Sequence, residues 1–153
     1  MRHALGMGPG GRSVTGSACF LCEIIAGTAP GYVVWSDDEF VALLDRYPIT
    51  PGHIALVPRE HIDSVFDLSA DAYARLFARA RMLAGPVARA AGASRTGIAV
   101  EGFGVAHAHV HLVPVWQGGD LDPCRQGAVS EDELARAAER LRRALTEGGE
   151  VHA

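Results

Sequence analysis

Gly104-Val105-Ala106-His107-Ala108-His109-Val110-His111-Leu112-Val113-Pro114 alternates histidine with a small or apolar residue, and its reading decides the fold. Successive side chains of a β-strand point to opposite faces. As a strand, the segment sets His107, His109 and His111 on one face and sends Ala108, Val110 and Leu112 into a core. A helix would turn i, i+2 and i+4 about 200° and 400° around its axis and scatter the imidazoles. Strand is therefore the expectation, closed by Pro114 at its end or edge.

Working outward, Thr96 to Val100 reads as a strand leading through the loop Glu101-Gly102-Phe103-Gly104 into the histidine run. Upstream, Tyr32 to Trp35 and Phe40 to Leu44 read as two strands around the turn Ser36-Asp37-Asp38-Glu39. His53 to Pro58 reads as another, after the turn-rich Tyr47-Pro48-Ile49-Thr50-Pro51-Gly52. Between these strands Tyr73, Leu76, Phe77, Ala80, Leu83 and Ala84 recur at helical spacing behind a Ser69 N-cap. Pro86 lacks an N–H and is expected to break or kink this helix, which resumes to Ala91 and stops at Gly92. Ser130-Glu131-Asp132-Glu133 is a capping box opening a last helix whose stripe is Leu134, Ala137, Ala138, Leu141 and Leu145.

Length and composition bound the function. A chain of 153 residues with 48% hydrophobic and 21% charged residues suits one ordinary globular domain. Residues 19–147 are expected to form it, with 1–18 a disordered tail and 148–153 frayed. The net charge of −4 argues against nucleic acid as an electrostatic partner. No apolar run reaches the roughly 20 residues needed to span a bilayer, and the Gly- and Ser-rich start has no signal-like apolar region. The expectation is a cytoplasmic protein without membrane or nucleic-acid partners. Lysine is absent, which excludes Schiff-base and phosphate-loop lysine chemistry.

Three cysteines, Cys19, Cys22 and Cys124, do not suggest a disulfide framework. Cys19-Phe20-Leu21-Cys22 begins a short helical turn ending at Gly27. Its CxxC spacing fits half of a zinc site, a redox pair or two ordinary cysteines beside a core. The aligned imidazoles carry their own alternatives. Neighbours on the strand face stand roughly 6.6 Å apart, close enough to share a metal or a phosphate. They could form a metal site, or a nucleophile with proton-donating neighbours. A purely structural histidine face would bury too many polar nitrogens.

His107-Ala108-His109-Val110-His111-Leu112-Val113 resembles the H-φ-H-φ-H-φ-φ signature of the histidine-triad (HIT) superfamily. Cys19 to Ile25, Leu43-Leu44-Asp45, Thr50-Pro51-Gly52-His53 and Val57-Pro58-Arg59-Glu60-His61 follow the family's order, so the resemblance spans about residues 19–116. It implies an α+β fold with a five-stranded antiparallel sheet, one long packed helix and a C-terminal helix. It also implies a homodimer that binds a purine nucleotide-type small molecule, in the Hint-like, zinc-binding branch.

The implied chemistry is attack on the α-phosphate of a nucleoside phosphoramidate or dinucleoside polyphosphate, through a nucleotidyl-histidine on His109. His111 would contact the phosphate, and His53 would lie near it in a proton relay. Asp45 would accept the ribose hydroxyls, and Leu21, Ile24 and Leu43 would wall the base and sugar. Gly104 and Val105 would offer backbone N–H groups to the phosphate. Structural zinc is implied on Cys19, Cys22, His61 and His107. The chain departs from the family before the triad, where a shortened loop reads Gly102-Phe103-Gly104-Val105. Phe103 stands for an amide and Gly104 for a hydroxyl residue. That departure raises the alternative of a zinc-stabilised nucleotide-binding dimer with little turnover.

Overall fold

The computed structural model describes residues 19–147; the two expected tails lie outside the described residues. Five strands form one antiparallel sheet: β1 (Val33–Ser36), β2 (Phe40–Leu44), β3 (Ile54–Pro58), β4 (Arg95–Ala99) and β5 (Val110–Val115). Their spatial order is β1-β2-β3-β5-β4, which leaves β1 and β4 at the edges. Three α-helices accompany them: α1 (Phe20–Ala26), α2 (Ala70–Ala91) and α3 (Glu131–Glu147). No described helix is long and apolar enough to cross a membrane.

The sheet is covered on both faces at its centre, so β2 and β3 are buried at every position instead of alternating. Ala42, Leu44, Ile54, Leu56, Val110 and Leu112 point to one side, where they pack with Leu76, Ala80, Leu83 and Val87 of α2 and Leu134, Ala138 and Leu141 of α3. On the opposite side Val41, Leu43, Ala55 and Val57 meet Ile24 and Leu21 of α1. The short α1 covers only part of this second face. What it leaves open is the site.

Local chemistry fixes the helix ends. Ser69 Oγ accepts from the Ala72 N–H at 3.1 Å, and Gly92 closes α2 with a left-handed φ of 66°. At α3 the Ser130 N–H donates to Glu133 while the Glu133 N–H donates to Ser130 Oγ, the reciprocal capping box. The expected interruption at Pro86 does not occur, because α2 runs through it as one helix of 22 residues. Leu83, Pro86 and Val87 are all buried against the sheet, and this packing holds the backbone helical across the missing N–H.

The histidine strand is also shorter than expected. Regular pairing begins at Val110, so of the three histidines only His111 lies within β5. The cause is visible in the hydrogen bonds. The Ala108 N–H donates to Ile62 O at 2.7 Å, outside the sheet, and the partner strand ends at Pro58, which has no N–H to offer. The alternation nevertheless survives. Ala108, Val110 and Leu112 are buried in the main core, and His109 and His111 face the opposite side.

Candidate active site

Sheet register assembles the site. Leu43 pairs with Ala55, Ala55 with His111, and His111 with Ala99, a row across four strands on the face that α1 covers only in part. Alanine on both sides of His111 leaves room above the sheet. A cleft of about 610 Å³ opens there. Leu21 of α1 and Ala55 border it from the sheet side, and Asp45 and Tyr47 from the turn after β2. Glu101, Phe103, Gly104 and Val105 form its loop wall, His109 and His111 its floor, and Gln126 closes it from the segment before α3.

Each histidine of the run has its ring nitrogens assigned by a partner. His109 Nδ1 lies 2.7 Å from His107 O, a carbonyl that can only accept, so Nδ1 carries the proton and Nε2 keeps a lone pair. The His107 ring is held the other way round. Its Nε2–H donates to Pro58 O at 2.8 Å, leaving Nδ1 unprotonated and 3.4 Å from both Cys19 Sγ and Cys22 Sγ.

His53 fixes His111. The Ile49 N–H donates to His53 Nδ1 at 3.0 Å, so the proton of a neutral His53 sits on Nε2. That Nε2–H donates to His111 Nδ1 at 2.8 Å, which places the His111 proton on Nε2. Burial, with His111 and His109 alongside, pushes His53 down to about 3. Burial and His109 push His111 down to about 4, so both rings are neutral near pH 7. Asp45, half-buried, is raised by burial against the opposing hydrogen bond from the Tyr47 N–H.

Two groups of side chains have metal-ligand geometry. The ligand atoms of Cys19, Cys22, His61 and His107 all lie within 4.8 Å of one another, with Cys22 Sγ 3.3 Å from His61 Nδ1. Two thiols and two imidazoles make up a donor set of the kind that closes tetrahedrally around a metal, and His107 is already oriented by its bond to Pro58. This set fits a metal. Asp45, His53 and His111 also cluster within 4.8 Å. Here the donor chemistry opposes a metal, because His53 Nδ1 accepts from Ile49 and its Nε2 must then hold the proton.

The structure brings together most of the residues expected from sequence. Leu21, Asp45, Gly104, Val105, His109 and His111 line the cleft. Ile24 and Leu43 do not line it. They are 8% and 4% exposed and pack behind Leu21 and Ala55, supporting the wall without being its surface. His53 is fully buried behind His111, so it reaches the cleft only through that ring. The lining residues not anticipated are Tyr47, Ala55, Glu101 and Gln126, and Phe103, expected as the departure on the loop before the triad, joins them. Phe103 is 82% exposed, and its ring is part of the cleft wall. Gln126 comes from an irregular stretch whose path has no periodicity to read.

A family model described as "HIT domain" matches residues 26–118. An uncharacterized HIT-like protein of Saccharolobus solfataricus is 38% identical over 103 residues, 64% of this chain and 74% of the relative. An uncharacterized HIT-like protein of Mycobacterium tuberculosis is 30% identical over 135 residues, covering 84% of this chain and 94% of the relative. Among solved structures, a Zn-bound histidine triad family protein from Mycobacterium smegmatis superposes with a TM-score of 0.70 at 28% identity, covering 85% of this chain and 94% of that one.

Proposed function

The chain belongs to the HIT family of nucleotide-binding hydrolases and transferases, and from that premise we propose that it cleaves a nucleotide at its α-phosphate through a covalent nucleotidyl-His109. The single observation that carries this reading is the His109–His107 O hydrogen bond, which leaves the His109 Nε2 lone pair free beside the cleft.

In the proposed reaction His109 Nε2 forms a bond to the α-phosphorus. The bond from phosphorus to the leaving group breaks with its electron pair, and a proton from water neutralises the departing group. The His111 Nε2–H donates to a phosphoryl oxygen as charge develops there, and the Gly104 and Val105 amides border the same space. Water then attacks phosphorus, the N–P bond returns its pair to Nε2, and a nucleoside monophosphate leaves with one proton released. Asp45 receives the ribose hydroxyls, and His53 holds His111 in the tautomer that donates.

The cleft lining favours one substrate class. Among the described residues it carries the carboxyls of Asp45 and Glu101, two imidazoles and no arginine. A polyphosphate leaving group would bring several negative charges to a wall without a permanent cation. A neutral or cationic amine suits that wall better, so a purine nucleoside phosphoramidate is the preferred substrate.

Zinc on Cys19, Cys22, His61 and His107 belongs to the same reading, supported by the donor set and by the Zn-bound mycobacterial relative. Bound there, it would supply structure, tying α1 to the residue whose carbonyl orients His109. A homodimer is part of the proposal as well. The edge strand β4 exposes Ile98 and the adjoining α2 exposes Met82, both large apolar side chains.

Steady-state turnover of an adenosine phosphoramidate by the wild type and by His109→Ala tests the reading. Turnover that survives the substitution would reject it. The second reading, a nucleotide-binding protein with little turnover, is favoured by Phe103 on the loop wall in place of a side-chain donor. Tight binding of adenosine monophosphate with hydrolysis at background would select it.

A further inference from the structure

The cleft wall formed by the 101–105 loop offers a carboxyl, a phenyl ring and two residues without side-chain donors. A scissile bond to an amine nonetheless needs an N–H donor near its departing atom, because charge builds there as the bond breaks. Among the described residues, one side chain other than the imidazoles lines the cleft with N–H donors. It is Gln126.

Its position is doubly defined. Gln126 borders the main cleft, and it borders a small recess of about 40 Å³ behind it. Both spaces are shared with His111 and Glu101, whereas Leu21 and Asp45 belong to the main cleft only. Gln126 thus adjoins His111, the residue assigned to the phosphate.

The segment that carries Gln126 is built for placement. Asp120 is 4% exposed, and its carboxylate accepts from the Trp116 N–H at 2.8 Å and the Gln117 N–H at 3.0 Å. Its other oxygen accepts from Arg125 Nη1 at 2.5 Å, tying the residue before Gln126 back to the end of β5. Asp122 caps the turn Pro123–Arg125 through the Cys124 N–H, and the Gln126 N–H closes it on Pro123 O. Leu121 anchors the segment against β4, where Gly97 makes room: a Cβ there would stand 3.3 Å from Leu121 Cδ2. Asp120 has no part in the chemistry described above. Holding this segment is the work its burial and three bonds accomplish.

We propose that Gln126 is a leaving-group-binding residue of the cleft, its side-chain amide donating to the atom that departs from phosphorus, and that the Asp120–Arg125 clamp positions it. This rests on the nucleotidyl-histidine reading and deepens it. Gln126 lies beyond residues 26–118, the part that the family model matches.

The test separates binding of the nucleotide from binding of the leaving group. Calorimetry on the zinc-loaded full chain would use two probes. One is adenosine monophosphate; the other is the alkylamine adenosine phosphoramidate itself, which keeps the departing nitrogen and is measured in a His109→Ala background that leaves it uncleaved. In that background Gln126→Ala, and the similarly sized donor-free Gln126→Met, should weaken the phosphoramidate about tenfold and leave the monophosphate unchanged. Asp120→Ala should move affinity the same way, with its thermal midpoint recorded to confirm that it folds. With an alkylamine phosphoramidate, kcat/KM of Gln126→Ala should drop about 10²-fold. An equal loss for both probes, or no loss, would overturn the assignment of Gln126 alone. A wild type that binds neither probe would overturn the nucleotide reading and this proposal with it.

Discussion

The main-chain oxygen of His107 lies 2.7 Å from Nδ1 of His109, and the His107 ring faces Cys19 and Cys22 through its own Nδ1. One residue therefore serves two sites. Its side chain belongs to the Cys/His cluster and its carbonyl sets the tautomer of His109.

Metal removal is expected to act first on stability. At free zinc a thousandfold above its dissociation constant, loading adds about 4 kcal/mol to the folded state. Chelation should therefore lower the thermal midpoint, and zinc alone should restore it, with one zinc per chain by atomic absorption. A Cys22→Ser variant should lose this response. A midpoint indifferent to chelator would remove zinc from the structure.

His53→Phe fills the space of the ring but leaves the Ile49 N–H without its acceptor and His111 Nδ1 without its donor. The cost should be about 1–3 kcal/mol in urea unfolding. With the His111 tautomer released, kcat should fall more than KM changes. An unchanged kcat would show that His53 does not position His111.

Acid should destabilise the fold through His53 and His111. Both are depressed in the folded state, to about 3 and about 4, against an ordinary 6.5. Between these values the unfolded chain binds protons that the folded chain refuses, so stability falls as pH drops below 6.5. Each histidine contributes about 1.4 kcal/mol per pH unit in that window. Urea midpoints from pH 7 to 4.5 should show a shallower decline for His53→Asn than for the wild type. Parallel declines would contradict the neutral assignment.

Asp45→Asn tests the ribose contact. Replacing a charged acceptor should weaken adenosine monophosphate by roughly 10- to 100-fold. The 2′,3′-dideoxy nucleotide should bind both proteins alike. Equal losses for both nucleotides would place Asp45 elsewhere in recognition.

Much of this architecture was legible in the chain. Phe40–Leu44 has the bounds its apolar run suggested, and Ser130-x-x-Glu133 caps α3 as the motif requires. These signals are local. The shortened histidine strand was not local: Ala108 bonds to Ile62, 46 positions earlier in the chain, a partner that no periodicity reveals. Pro86 reads as a breaker until packing on the sheet is known. Ile24 and Leu43 are apolar like Leu21, and the packing of α1 on the sheet decides which of the three meets the cleft. Gln126 depends on a clamp between Asp120 and Arg125, whose pairing the sequence does not announce.

The most direct measurement is the mass of the intact protein after rapid mixing with an adenosine phosphoramidate and a denaturing quench at alkaline pH, where the N–P bond survives. The wild type should gain one adenylyl group, mapped by fragmentation to His109, at a rate no slower than turnover. Substrate consumed without any adduct, or an adduct that persists in His109→Ala, would contradict nucleophilic attack by His109.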